Sequence, residues 1–139
     1  MSATRLYTPE VLGLATSLSE YPLDDSLPLV AEARSRSCGS TIVLGLETDA
    51  DGRIANVGVR SQACAIGQAA AAIFAAGAKG LTAGEIAIAE NAISAWLAGD
   101  GPLPDWPGMD AIALAHEYPG RHGAIKLAWE AARQVLPTS

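Results

Sequence analysis

Residues 30–60 read Val-Ala-Glu-Ala-Arg-Ser-Arg-Ser-Cys-Gly-Ser-Thr-Ile-Val-Leu-Gly-Leu-Glu-Thr-Asp-Ala-Asp-Gly-Arg-Ile-Ala-Asn-Val-Gly-Val-Arg, and this stretch decides the fold. From Val30 the pattern has period two: Ala31, Ala33, Ser35 and Ser37 share one face, and Glu32, Arg34 and Arg36 the other. That alternation belongs to a strand with one solvated side. After Cys38-Gly39, the segment Ser40 to Glu47 puts Ile42, Leu44 and Leu46 on one side. Asp49-Ala50-Asp51-Gly52 supplies a turn, and Arg53 to Arg60 follows with Ala55, Val57 and Val59 alternating. Three strands with connections this short form an antiparallel meander. A sheet so small has one apolar face that must be covered by the rest of the chain.

Upstream, Thr8 is an N-cap with Pro9 at the first helical position, and Val11, Leu14, Ala15 and Leu18 follow at i, i+3, i+4 and i+7. This opening helix stops around Tyr21-Pro22, and Asp24 to Pro28 reads as a connection. Downstream the chain becomes alanine-rich and helical from Cys64 through Ala76, closing at Gly77. Thr82-Ala83-Gly84-Glu85 matches a capping box, after which Ile86, Ala89, Ile93, Trp96 and Leu97 line one face of a helix ended by Gly99. Gly101 to Gly108 is a proline-rich loop and Met109 to His116 a short helix. The last helix starts near His122 or Gly123, with Ile125, Ala128, Trp129, Ala132 and Leu136 on one stripe and Pro137 at its end. The expected fold class is α+β: a three-stranded antiparallel meander, an N-terminal helix and a layer of C-terminal helices on one face. Residues 1–139 are expected to form a single domain.

Half of the residues are hydrophobic and 17% are charged, which excludes a disordered chain, while the aromatic share of 5% demands a core of closely approaching helices with small side chains. Nine basic against fifteen acidic residues leave a net charge of −6, and the basic residues are spread singly. Such a chain lacks the clustered cations of a nucleic-acid grip. The most apolar run, Ala63 to Ala78, is shorter than the roughly 20 residues a bilayer requires and carries Gln68. Met1 to Glu20 shows no export signal, so a cytoplasmic location is expected, where Cys38 and Cys64 stay reduced.

Cys64 falls in the first turn of a helix, whose free N–H groups and positive end stabilise a thiolate. Cys38 ends one strand and Cys64 follows another, so the meander can bring both to one edge of the sheet. The pair can hold metal, accept sulfur or remain two inert thiols, since its spacing matches no compact zinc pattern. Other motifs fail. Asp49-x-Asp51-Gly52 opens like a calcium loop, but its twelfth position is Arg60, so it is a hairpin turn. Gly77-Ala78-Lys79-Gly80 lacks phosphate-loop spacing and reads as a helix stop. Trp96 and Trp129 sit on helical stripes as core residues, and Trp106, between prolines, is either an exposed partner contact or a lid over the sheet.

Cys38-Gly39-Ser40, the two strands after it, and Ala63-Cys64-Ala65-Ile66-Gly67-Gln68-Ala69 at a helix start resemble the iron–sulfur cluster assembly scaffolds of the IscU/SufU/NifU N-terminal type. That family carries Cys-Gly-Asp at its first ligand position and Gly-Cys-Ala-Ile-Ser-x-Ala-Ser at its second. The opening helix with Tyr7 and Val11, and the run from Arg121 to Ala131, resemble the family's N-terminal segment and its final cysteine-bearing helix, so the likeness covers nearly the whole chain. Two departures stand out. Aligning Leu127-Ala128-Trp129 places the third cysteine at Ala124, and the aspartate of Cys-Gly-Asp is Ser40. Arg121 matches the basic residue before the third cysteine, whereas the histidine of the IscU branch is replaced by Gly123.

The resemblance implies a non-enzymatic scaffold that binds iron or an iron–sulfur cluster, or zinc as in the SufU branch, or accepts sulfur through Cys38 and Cys64. It implies a cysteine desulfurase and cluster-accepting proteins as partners, with a homodimer also open. His122, close to the lost cysteine position, is the candidate to complete the metal site, against a solvated or capping role. His116, beside Glu117, reads as a surface residue. The alternative is an interaction or regulatory module that keeps the fold and has lost metal binding.

Overall fold

The expected strands form one antiparallel sheet in the order β1-β2-β3, with β1 at Leu29–Arg34, β2 at Thr41–Thr48 and β3 at Ile54–Gln62. The structure, a computed structural model, describes residues 6–36 and 39–136. Pairing aligns Leu29, Leu46 and Val57 across the sheet, and likewise Ala31, Leu44 and Val59. Leu44 and Leu46 are fully buried on this inner face. At the far end of β2 a register shift between Glu47 and Thr48 sets Thr48 opposite Ile54 and Glu47 opposite Asn56, leaving Ala55 as the extra residue of a bulge. Ile54 consequently takes the core position that simple alternation gives to Ala55, which is only half-buried. The Asp49 carboxylate accepts the backbone N–H groups of Asp51 and Arg53 at 2.9 and 3.0 Å, which closes the hairpin turn.

Helices cover the inner face. α2 (Ala65–Ala78) packs on β3, and α4 (Pro119–Val135) on β1 and β2. α2 is buried on every side from Ala69 to Ala75, because alanine lets α1 (Pro9–Ser17), α4 and the sheet all approach one axis. Thr8 caps α1 through its hydroxyl, which accepts the Val11 N–H at 3.1 Å. α3 (Ala83–Leu97) opens with the full capping box between Thr82 and Glu85 and packs against α4 in an outer layer. Met109–Glu117 is a 3₁₀ stretch kinked at Ile112.

Four expectations need correction. The last helix begins at Pro119, ahead of His122 and Gly123, because a proline at the first position needs no N–H partner and presets φ for a turn. α2 runs past Gly77 to Ala78. Gly77 is required there by close approach: an added Cβ would lie 2.5 Å from Trp106 Nε1. Trp106 is neither an exposed contact nor a lid over the sheet, since it is buried against α2, donates to the Ile73 carbonyl at 2.8 Å, stacks on Phe74 and meets Trp129 edge-on. The connection from Asp24 to Pro28 is also more than a link. Leu23 and Leu27 cover the outer face where Gly45 and Gly58 pair, and a Cβ at Gly58 would meet the Pro22 carbonyl at 2.5 Å.

On α4, burial holds the Glu130 carboxyl above its ordinary range, against the opposing pull of Lys126 at 3.9 Å and with a further push from Glu90. A raised carboxylate pKa means that ionising Glu130 costs stability near neutral pH, and that the cost disappears as pH falls through the folded value. Glu130→Gln is therefore expected to melt above the parent at pH 7, with the gap closing as pH is lowered through the carboxylate range. A lower melting temperature at pH 7 would show that pairing with Lys126 outweighs burial.

Candidate functional site

The strand register places the β1–β2 connection and the start of α2 at one end of the sheet, since Arg34, Thr41 and Gln62 align there. Within the connection, Ser35 N–H donates to the Ser40 carbonyl at 2.8 Å and Gly39 N–H to the Ser35 carbonyl at 3.2 Å. Ser40 is buried and Gly39 adopts φ +70°, the left-handed region where glycine is unstrained. Cys38 itself lies outside the described residues.

Cys64 is the N-cap of α2, with extended backbone at φ −64° and ψ 168°. Its carbonyl accepts the Gln68 N–H at 3.0 Å, so the helical ladder starts from this residue, while the Cys64 side chain itself caps none of the first-turn N–H groups. Gln68 turns back to donate from Nε2 to the Ala63 carbonyl at 3.0 Å. The thiol is half-buried, packs against the core and forms no disulfide among the described residues. Both the first-turn N–H groups and the helix dipole favour negative charge at this end. The arrangement suits a sulfur that acts as an anion, either as a metal ligand or as a nucleophile.

Ala124, where the resemblance places a third cysteine, is buried on α4 and faces the first turn of α2. A Cβ built on Gly67 would lie 3.2 Å from Ala124 Cβ and 2.8 Å from Ala63 Cβ. Three small residues thus let the two helices close on each other one turn from Cys64. Tyr7 is tied to the beginning of α4, where Arg121 donates to its hydroxyl from Nη2 at 3.0 Å and from Nε at 3.2 Å.

His122 takes a different direction from Ala124. Two helical positions correspond to about 200° of rotation, so the two residues face different neighbours. The ring of His122 places Nε2 2.9 Å from the His116 carbonyl, and its centroid lies 6.2 Å from the His116 ring, which in turn sits 6.0 Å from Trp96. His116 is half-buried in this cluster, a burial that its loop-like sequence setting did not signal. Among the described residues no group of three His, Cys, Asp or Glu side chains is placed to hold a metal ion. No described helix is long and apolar enough to cross a membrane.

Solved structures share this architecture. The chain is similar to a NifU-like protein (N-terminal) from Brucella abortus, with 27% identity, a TM-score of 0.85, and 94% of this chain and 91% of that one covered. A putative iron–sulfur cluster assembly scaffold protein for the SUF system from Fervidobacterium islandicum superposes with a TM-score of 0.86 at 19% identity, over 98% of this chain and all of the other. No protein-family model and no curated protein sequence matches the chain.

Proposed function

From a chain that is of the IscU/SufU/NifU type in fold over nearly its whole length, we infer an iron–sulfur cluster assembly scaffold-like protein that works through the thiolates of Cys38 and Cys64. The observation that carries the reading is Cys64 at the N-terminus of α2, one turn from the Ala124 position, in a fold shared with a NifU-like domain at 27% identity. Iron or a nascent cluster is cargo here, and the chain supplies two of the family's thiolates. In sulfur acceptance, the Cys64 thiolate attacks the terminal sulfur of a persulfide on a cysteine desulfurase. One S–S bond forms on Cys64 as the donor's breaks, and the donor leaves as a thiolate, with no net oxidation. His122 is proposed as an additional ligand and would have to turn from the His116 carbonyl to serve. Function in the cytoplasm and delivery to cluster-accepting proteins belong to the same reading.

The small-residue seat of Ala63, Gly67 and Ala124 supports a second reading, an interaction module on the same fold that no longer retains metal. Anaerobic reconstitution with iron and sulfide, followed by visible absorbance and elemental analysis, separates the two. The scaffold reading expects charge-transfer absorbance with bound iron and sulfide, and its loss in both Cys38→Ala and Cys64→Ala. Metal content unchanged by these substitutions overturns the thiolate site. Colourless, metal-free parent protein that also takes no persulfide sulfur from a cysteine desulfurase onto Cys64 supports the module reading instead.

A further inference from the structure

A groove of about 590 Å³ runs between α3 and the proline-rich loop, at the end of α2 remote from Cys64. Gly77, in its floor, follows Cys64 by thirteen residues, which is about 20 Å along a helix axis. Ile88 and Ala92 form one wall, and Pro104 with Trp106 the other. Ile88 is 70% exposed, the most exposed of the large hydrophobic side chains among the described residues. The indole N–H of Trp106 is committed to the Ile73 carbonyl, so the ring offers the groove only apolar surface.

The charged side chains lining the groove are both acidic, Glu85 and Asp105. Glu85 is engaged by Arg53 at 3.7 Å, a guanidinium that also donates to the Gly80 carbonyl. Asp105 is exposed and forms no ion pair among the described residues. An adjoining depression of about 400 Å³ shares Pro104 to Pro107 and ends at Asp110, another exposed carboxylate without an ion pair among the described residues. An apolar trough is therefore flanked by free negative charge.

We propose that this groove docks a partner protein through a peptide segment in which an apolar side chain is flanked by lysine or arginine. The apolar side chain packs on Ile88 and Ala92 above the largely buried Trp106 ring, and the cations reach Asp105 and Asp110. Complementary charge selects this occupant. A second copy of the chain is disfavoured, because it carries a net charge of −6 and its basic residues stand singly. Docking here leaves Cys64 free, so the surface can recruit a partner while sulfur or iron is handled at the other end of α2.

The test uses the full chain and fluorescence anisotropy with a labelled, end-capped short peptide of alternating lysine and leucine. Binding is expected, with a glutamate–leucine counterpart bound at least about tenfold more weakly. Asp105→Lys and Ile88→Ser, both at exposed positions, are each expected to weaken the lysine peptide about tenfold. Asp25→Lys, an exposed charge reversal on the opposite face of the sheet, is expected to change it by less than about twofold, the screened effect of a distant charge. Equal losses from Asp25→Lys and Asp105→Lys would reduce the interaction to net charge and overturn the proposal. So would equal binding of the two peptides, or binding of neither. A concentration-dependent dimer in sedimentation velocity that Ile88→Ser abolishes would make a second copy the occupant and overturn the basic-peptide assignment.

Discussion

Trp106→Ala is expected to lower the free energy of unfolding by about 3–5 kcal/mol, measured by urea denaturation. The sequence holds one phenylalanine and three tryptophans, and three of these four large rings meet at one point. Trp106 stacks on Phe74 with centroids 5.8 Å apart, Trp129 meets Phe74 edge-on at 5.3 Å, and Trp106 meets Trp129 edge-on at 5.2 Å. In a core filled mostly by alanine and aliphatic side chains, removing this ring opens a void that its neighbours cannot fill. Against a typical total of about 5–15 kcal/mol, the loss is a large fraction of the stability. Trp106→Phe keeps most of the packing and loses the bond to Ile73, at a cost of about 1 kcal/mol.

Gly77 provides the coupled control. In the parent, Gly77→Ala drives a methyl into the indole and is expected to destabilise by about 1–3 kcal/mol. In the Trp106→Ala background the obstruction is gone, and the same substitution should stabilise by up to about 1 kcal/mol through helix propensity alone. A change of sign between the two backgrounds is the signature of the contact. A cost below about 1 kcal/mol for Trp106→Ala, or a Gly77→Ala effect independent of residue 106, would remove the ring cluster from the core.

What could be read from the sequence was local. The Thr8 and Thr82 caps, the Asp49 turn and the alternation of Ala31, Ala33, Ile42, Leu44 and Leu46 each depend on residues within a few positions, and the structure forms all of them. The misreadings depend on residues far apart. The stop read at Gly77-Ala78-Lys79-Gly80 holds, with α2 ending at Ala78, but the close approach of Gly77 to Trp106 was hidden because that ring lies in a different segment of the chain. Ala55 lost its core place to Ile54 because a bulge is a property of two paired strands. The same division holds at the site. A strand-to-helix switch marks Cys64 in the sequence, whereas the contact of Ala124 with Gly67 joins two helices and becomes visible only once α4 is packed on α2.

That contact makes Ala124→Cys the substitution with the largest expected gain. Ala124 is buried on the α4 face that meets Gly67, one turn beyond Cys64, so a thiol there enters the edge of the candidate site. Two thiolates leave a metal short of the three or four protein ligands of stable zinc and cluster sites, and a third raises affinity steeply. Ala124→Cys is accordingly expected to bind zinc more tightly by a factor on the order of ten or more, and to hold more iron and sulfide after anaerobic reconstitution. The added sulfur crowds the seat of Ala63 and Gly67, so a loss of about 1–3 kcal/mol in stability should accompany the gain. Opposite movement of metal affinity and stability distinguishes a restored ligand from a general improvement in folding. The double substitution Cys64→Ala with Ala124→Cys should lose the gain, because only two of the three thiolates then remain. A folded Ala124→Cys protein with unchanged metal affinity would mean that α4 does not present this position to the metal, and that the chain has left cluster assembly by more than the loss of one ligand.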